Sequence, residues 1–139
     1  QIRDKLVKPE LEEALSIAAG IAGIDLITIT SGAQPGSDGR RIGSFRHDTG
    51  LAADFTMAKG GKLLNAGNVK DQAIMAKFVK AARTQGILAG GMSKNYMGNF
   101  TMHLDMLGAY NQTQGGAYDK KTIVTWKSDA WFIYAMNNE

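Results

Sequence analysis

Residues 99–107, NFTMHLDML, alternate polar and apolar side chains over most of their length, the pattern of a strand with one buried and one open face. Met102, Leu104 and Met106 share one side, and Thr101, His103 and Asp105 share the other. A chain holding such a strand has to cover its apolar face with other elements. With 139 residues, 44% of them hydrophobic, the chain has enough material for one core and little for a second. The expectation is a single domain over residues 1–139.

The covering elements are legible. Pro9, followed by Glu10, Glu12 and Glu13, reads as a helix start, because proline loses no needed donor there and the acids suit the positive end of the dipole. Leu11, Leu15, Ala18 and Ala22 continue at helical spacing to a stop near Gly23. Residues 25–31, DLITITS, read as a strand between Gly23 and Gly32. Residues 32–43 are loop by composition, and AADFTM, residues 52–57, reads as a second strand before the Gly60-Gly61 turn. Asn68 caps a second helix whose expected apolar face is Val69, Ala73 and Ala76 with Ile74, Phe78 and Ala81, reaching to about Gly86. Residues 87–91 and 99–107 form two strand-like runs around a turn at Ser93, Lys94 and Asn95. Residues 122–126 give a last strand before a terminal helix, with Trp126, Trp131, Phe132 and Tyr134 read as core. This order suits an α+β fold with an antiparallel or mixed sheet flanked by helices, and not a regular βαβ alternation.

Composition removes several functions. There is no cysteine, so disulfide scaffolds, thiol nucleophiles and cysteine-based zinc sites are excluded, and any metal must be held by histidine and carboxylate. The net charge of +3 is scattered, with Arg40-Arg41 and Lys120-Lys121 as the adjacent basic pairs, and no aromatic ladder interleaves with basic residues. Nucleic acid is therefore not an expected partner. No apolar run reaches the roughly 18 residues of a membrane span, and residues 1–8 lack the apolar core of a signal peptide.

Only two histidines occur, His47 and His103. His47 opens HDTGLAAD, in which Gly50 and Ala52 are small enough for the backbone to turn and bring Asp54 toward the imidazole. A neutral imidazole and a carboxylate are suitable zinc ligands at about 2.0–2.2 Å. His103 faces the open side of its strand, so His47, Asp54 and His103 form a candidate three-ligand metal site. Three protein ligands with an open fourth position are the arrangement of catalytic zinc, for which peptide hydrolysis is a natural chemistry. Each residue alone also reads as an ordinary hydrogen-bonded or turn residue; the ordered combination carries the metal reading.

His47, Gly50, Ala52 and Asp54 resemble the first metal motif of the zinc D-Ala-D-Ala carboxypeptidase family, peptidase family M15, which shares its fold with the hedgehog signalling domain. Residues 99–106, with His103 and Asp105, resemble the third-ligand strand of its smaller phage and bacterial members. The resemblance implies a hedgehog/DD-peptidase-like fold, a single Zn2+ on His47, Asp54 and His103, and cleavage of peptidoglycan stem peptides or cross-links. It also implies action on the cell wall, as a free lytic enzyme or beside other virion proteins. Two positions depart from the pattern: Phe100 stands where many relatives carry an acid, and Gln34 follows Ser31-Gly32-Ala33 where they often carry arginine.

A hydrolase also needs a proton acceptor. Asp105 is the candidate, its alternative being a carboxylate that orients a ligand; Asp48 is less favoured. Arg41 or Arg46 could clamp a substrate carboxylate or could be solvated charges, and Gln34 is a further substrate-binding candidate. Tyr96 could donate to an oxyanion or be a half-buried turn aromatic.

Overall fold

The computed structural model describes residues 6–34, 45–111 and 117–137. Helix α1, Pro9–Ala22, starts on its proline, carries Glu10 and Glu12 in its first turn, and stops where Gly23 turns left-handed at φ 74°. Helix α2, Val69–Thr84, is capped by Asn68, whose side-chain oxygen accepts from the N–H groups of Lys70 at 3.0 Å and Asp71 at 3.1 Å. Its buried stripe is Met75, Phe78, Val79 and Ala82, with Ala81 alongside, and Val69 lies exposed. The expected face was rotated because apolar residues occur around much of this helix, and contact with α1 and the sheet decides which arc is covered. A short helix, α3, Ala130–Asn137, closes the chain through Phe132, Ala135 and Met136.

The strands are β1 (Leu26–Ser31), β2 (Ala52–Lys59), β3 (Lys62–Leu63), β4 (Ala89–Gly91), β5 (Met102–Asp105), β6 (Tyr110–Asn111), β7 (Ala117–Tyr118) and β8 (Val124–Thr125). The main sheet runs β1-β2-β5-β4-β8, with β3 hairpinned onto the far end of β2, while β6 and β7 pair separately. The pairings in the main sheet are antiparallel except β4 with β8, which is parallel, so the sheet is mixed and the fold α+β. A 3₁₀ turn, Phe45–Thr49, leads into β2.

One face of the sheet is apolar: Ala53, Phe55 and Met57 of β2 and Met102 and Leu104 of β5 are buried in the core cluster with the three helices. β1, read from its composition as an ordinary strand, is the sheet edge, and Leu26 and Ile29 are exposed there because a strand with one neighbour has one flank without cover. Tyr134 is also exposed, unlike the core position expected of it, whereas Phe132 is fully buried.

Gly90 shows how tightly the centre is filled. A β-carbon there would stand 2.5 Å from the His103 carbonyl oxygen and 2.9 Å from the ring of Phe132. Gly90→Ala is expected to lower stability by about 1–3 kcal/mol through overpacking; a urea midpoint equal to that of the parent protein would contradict this packing.

Candidate metal centre

The polar face of the sheet is built by register. β2 and β5 pair so that Asp54 lies opposite His103 and Ala52 opposite Asp105. Directly opposed residues in an antiparallel pair point to the same side, so both acids and His103 leave the core face together. Beyond Asp54 the edge strand slips register between Ile29 and Ser31, and Thr30 Oγ1 donates to the Asp54 carbonyl at 3.2 Å. His47 arrives from the 3₁₀ turn. Gly50 closes that turn at φ 77°, and its carbonyl accepts from Lys8 N–H at 2.8 Å.

His47, Asp54 and His103 are all buried, and one ligand atom from each lies within 4.8 Å of the others. The imidazoles stand edge to face with centroids 5.1 Å apart. His47 Nδ1 lies 2.8 Å from the carbonyl oxygen of Gly32, and as Nδ1–H it donates there. That leaves Nε2 as its ligand atom, 3.6 Å from Asp54 Oδ2. His103 is arranged the other way round: Nε2 lies 2.7 Å from Asp105 Oδ2, and Nδ1 lies 2.7 Å from Asp54 Oδ1. Each ring thus has its outer nitrogen fixed by an oxygen and its inner nitrogen turned to Asp54, the outer-partner arrangement that orients metal-binding histidines. The donor set suits a metal ion, and these three residues can hold one.

Burial works against a charge on His103, but its hydrogen bonds to Asp105 and Asp54 outweigh that cost and raise its pKa above 6.5. Burial likewise disfavours ionised Asp105, yet the hydrogen bonds from His103 and Arg46 overcome it and hold its pKa below 3.8.

Asp105 stands between His103 and Arg46. Its side chain is fully buried, Oδ2 is shared by His103 and Arg46 Nε, and Oδ1 accepts from Arg46 Nη2 and Leu107 N–H. Both oxygens are occupied on the far side of the His103 ring from Asp54. The Arg46 guanidinium is turned inward onto Asp105. Arg41 lies outside the described residues. Gln34 is buried against the 3₁₀ turn, donating from Nε2 to Asp48 Oδ1 at 2.8 Å and from its N–H to the His47 carbonyl at 3.1 Å. Tyr96 is brought near by an aromatic contact: its hydroxyl accepts from Trp126 Nε1 at 2.8 Å, and the Trp126 ring lies 5.0 Å from that of His103.

Trp126 is therefore part of the centre and not of the core. Sequence reasoning missed it, and Tyr118 with it, since both arrive from distant segments with no local pattern marking them. Gly91, opposite His103 in β4, leaves the room; a β-carbon there would stand 3.0 Å from Trp126 Nε1 and from the Tyr96 ring. A cleft of about 520 Å³ between α1 and β1 has none of the triad among its lining residues.

Comparison with models of protein families, with curated proteins and with solved structures finds no match for this chain, so the candidate metal centre stands on its geometry.

The pKa directions set a pH dependence. A raised His103 pKa stabilises the chelator-treated protein fully below 6.5, and that contribution is lost as pH rises through the raised value. A lowered Asp105 pKa contributes above 3.8 and is lost as pH falls through the lowered value. The melting temperature of chelator-treated protein is expected to fall as pH climbs from about 6 toward alkaline values, while metal affinity rises over the same interval because the ion must displace the Nδ1 proton. A melting temperature independent of pH across that range would contradict the raised pKa of His103.

Proposed function

We propose that this chain is a zinc-dependent peptidase of the hedgehog/DD-peptidase-like fold. On this reading it hydrolyses peptide bonds of peptidoglycan, as a D-Ala-D-Ala carboxypeptidase or a stem-peptide or cross-link endopeptidase, within a phage lytic or virion-associated protein. The observation that carries it is the buried His47–Asp54–His103 triad, with each imidazole presenting one inner nitrogen beside a single carboxylate. Two nitrogens and one oxygen suit zinc and leave a fourth position for water or substrate. An ion so held lowers the pKa of a water and polarises a carbonyl, the chemistry peptide hydrolysis needs. The motif HDTGLAAD and the strand NFTMHLDML, with their resemblance to the M15 peptidases, supply the substrate class.

What the chain itself contributes is orientation. Gly32 fixes His47, Asp105 fixes His103, and burial keeps bulk water from competing for Asp54.

A second reading, a non-catalytic zinc module that binds a peptide or a partner, is favoured by two features. Asp105 has both oxygens engaged, and Phe100, exposed, occupies the position of the acid in many M15 relatives.

Elemental analysis of purified protein is expected to give about one zinc per chain, lost in Asp54→Ala, and purified peptidoglycan should release new amino or carboxyl termini that chelator treatment abolishes. Zinc without digestion would select the binding module. Failure to take up zinc from a replete buffer would remove both readings.

A further inference from the structure

Arginine at a turn usually carries its charge out to water, yet Arg46 is turned inward with its side chain 11% exposed. Its Nε and Nη2 meet the two oxygens of Asp105 at 2.7 and 2.9 Å, and Nη2 also donates to the carbonyls of Leu107 and, at 2.8 Å, Gly108. Aromatic rings flank the guanidinium: its carbon is 4.8 Å from the centre of Tyr118 and 5.5 Å from that of Trp126. Asp105 then reaches His103 Nε2 at 2.7 Å.

We propose that Arg46 is a positioning residue for His103, acting through Asp105 to fix which imidazole nitrogen faces the metal; this rests on the metal-centre reading above. An imidazole carries two similar nitrogens, and the partner of one decides the task of the other. Asp105 can hold Nε2 in one place only while its own carboxylate cannot rotate. A carboxylate held by one histidine alone is free to turn about its bond to the chain, and Asp105 has a second partner across both of its oxygens. The guanidinium supplies what is missing, a permanent charge in a planar fork that engages both oxygens at once. Lysine could supply the charge but not the fork.

Trp126 couples the two ends of this relay, since the same ring packs on Arg46 and on His103. The carbonyls that complete the guanidinium's shell are tied to the β6–β7 ribbon: Gly108 N–H donates to the Asp119 carbonyl at 2.8 Å, and Asp119 N–H returns to Ala109 at 2.9 Å. The ribbon and the metal centre therefore meet at one side chain.

The test compares zinc affinity, measured by competition with a chromophoric chelator, in the parent protein, Arg46→Lys, Asp105→Asn and the double variant. Imidazole ¹⁵N spectra of the zinc-loaded proteins give the second readout. Arg46→Lys is expected to bind zinc about 10–100-fold more weakly, the usual effect of losing an outer-shell partner. Its His103 signal should depart from a form metallated at Nδ1 and protonated at Nε2, and the double variant should lose little more than Asp105→Asn alone. Should Arg46→Lys not fold, Tyr118→Leu, which keeps every hydrogen bond of the relay, is expected to weaken binding about two- to fivefold. Affinity within twofold of the parent with an unchanged His103 spectrum in Arg46→Lys, or an unchanged affinity in Tyr118→Leu in its place, overturns the proposal alone. A parent protein that binds no zinc overturns the metal-centre reading and the proposal with it.

Discussion

The antiparallel register between β2 and β5 is the constraint on which the rest depends. It sets Asp54 against His103 and Ala52 against Asp105 on one face while Ala53 and Phe55 meet Leu104 and Met102 on the other. Because side chains alternate, a slip of β5 by one residue would send His103 and Asp105 into the helix-packed core and bring Met102 and Leu104 out. The burial of Phe55, Met102 and Leu104 thus fixes the geometry of the polar centre as firmly as its own hydrogen bonds do. Stability and site are two faces of one pairing.

The polar face carries a concentration of buried charge that a small domain tolerates only when each group is paired. His47, Asp54, His103 and Asp105 are all nearly inaccessible, and Arg46 is close to it. Removing charges from water costs several kcal/mol per ion unless partners replace the lost solvation. Here the replacement is a continuous chain from the Leu107 and Gly108 carbonyls through Arg46, Asp105 and His103 to Asp54. Such a chain keeps His103 from rotating, which is useful for a residue presenting one particular nitrogen and needless for one that only fills space. This asymmetry between His103, held by a charged relay, and His47, held by a neutral backbone carbonyl, is a feature of the centre that its two-histidine composition does not reveal.

Small residues make room for this arrangement. Gly90 and Gly91 line the strand beside β5, where Phe132 closes on one and Trp126 with Tyr96 on the other. A side chain at Gly91 would have to move Trp126 or Tyr96 beside His103, and one at Gly90, on the opposite face, would have to move Leu104 or Phe132 in the core.

Much of this was legible from the chain alone. Pro9 and Gly23 bounded α1, Asn68 opened α2, and the alternation in NFTMHLDML divided β5 into an apolar and a polar face, because capping and period-two burial are local properties written into adjacent residues. The scarcity of histidine and the absence of cysteine likewise narrowed the nitrogen ligands open to any metal to His47 and His103, and the pattern HDTGLAAD singled out Asp54 beside them. What the sequence could not reveal was direction. Asp105 shares a face with His103 on any reading of the strand, but its far-side position depends on Arg46, 59 residues away. The inward turn of Arg46 depends in turn on Tyr118, Trp126 and two carbonyls from other segments. The sequence determined which residues could do chemistry and on which face they stood; only the tertiary structure decided which of them meet, because a hydrogen bond between distant segments is set by packing and leaves no periodicity along the chain.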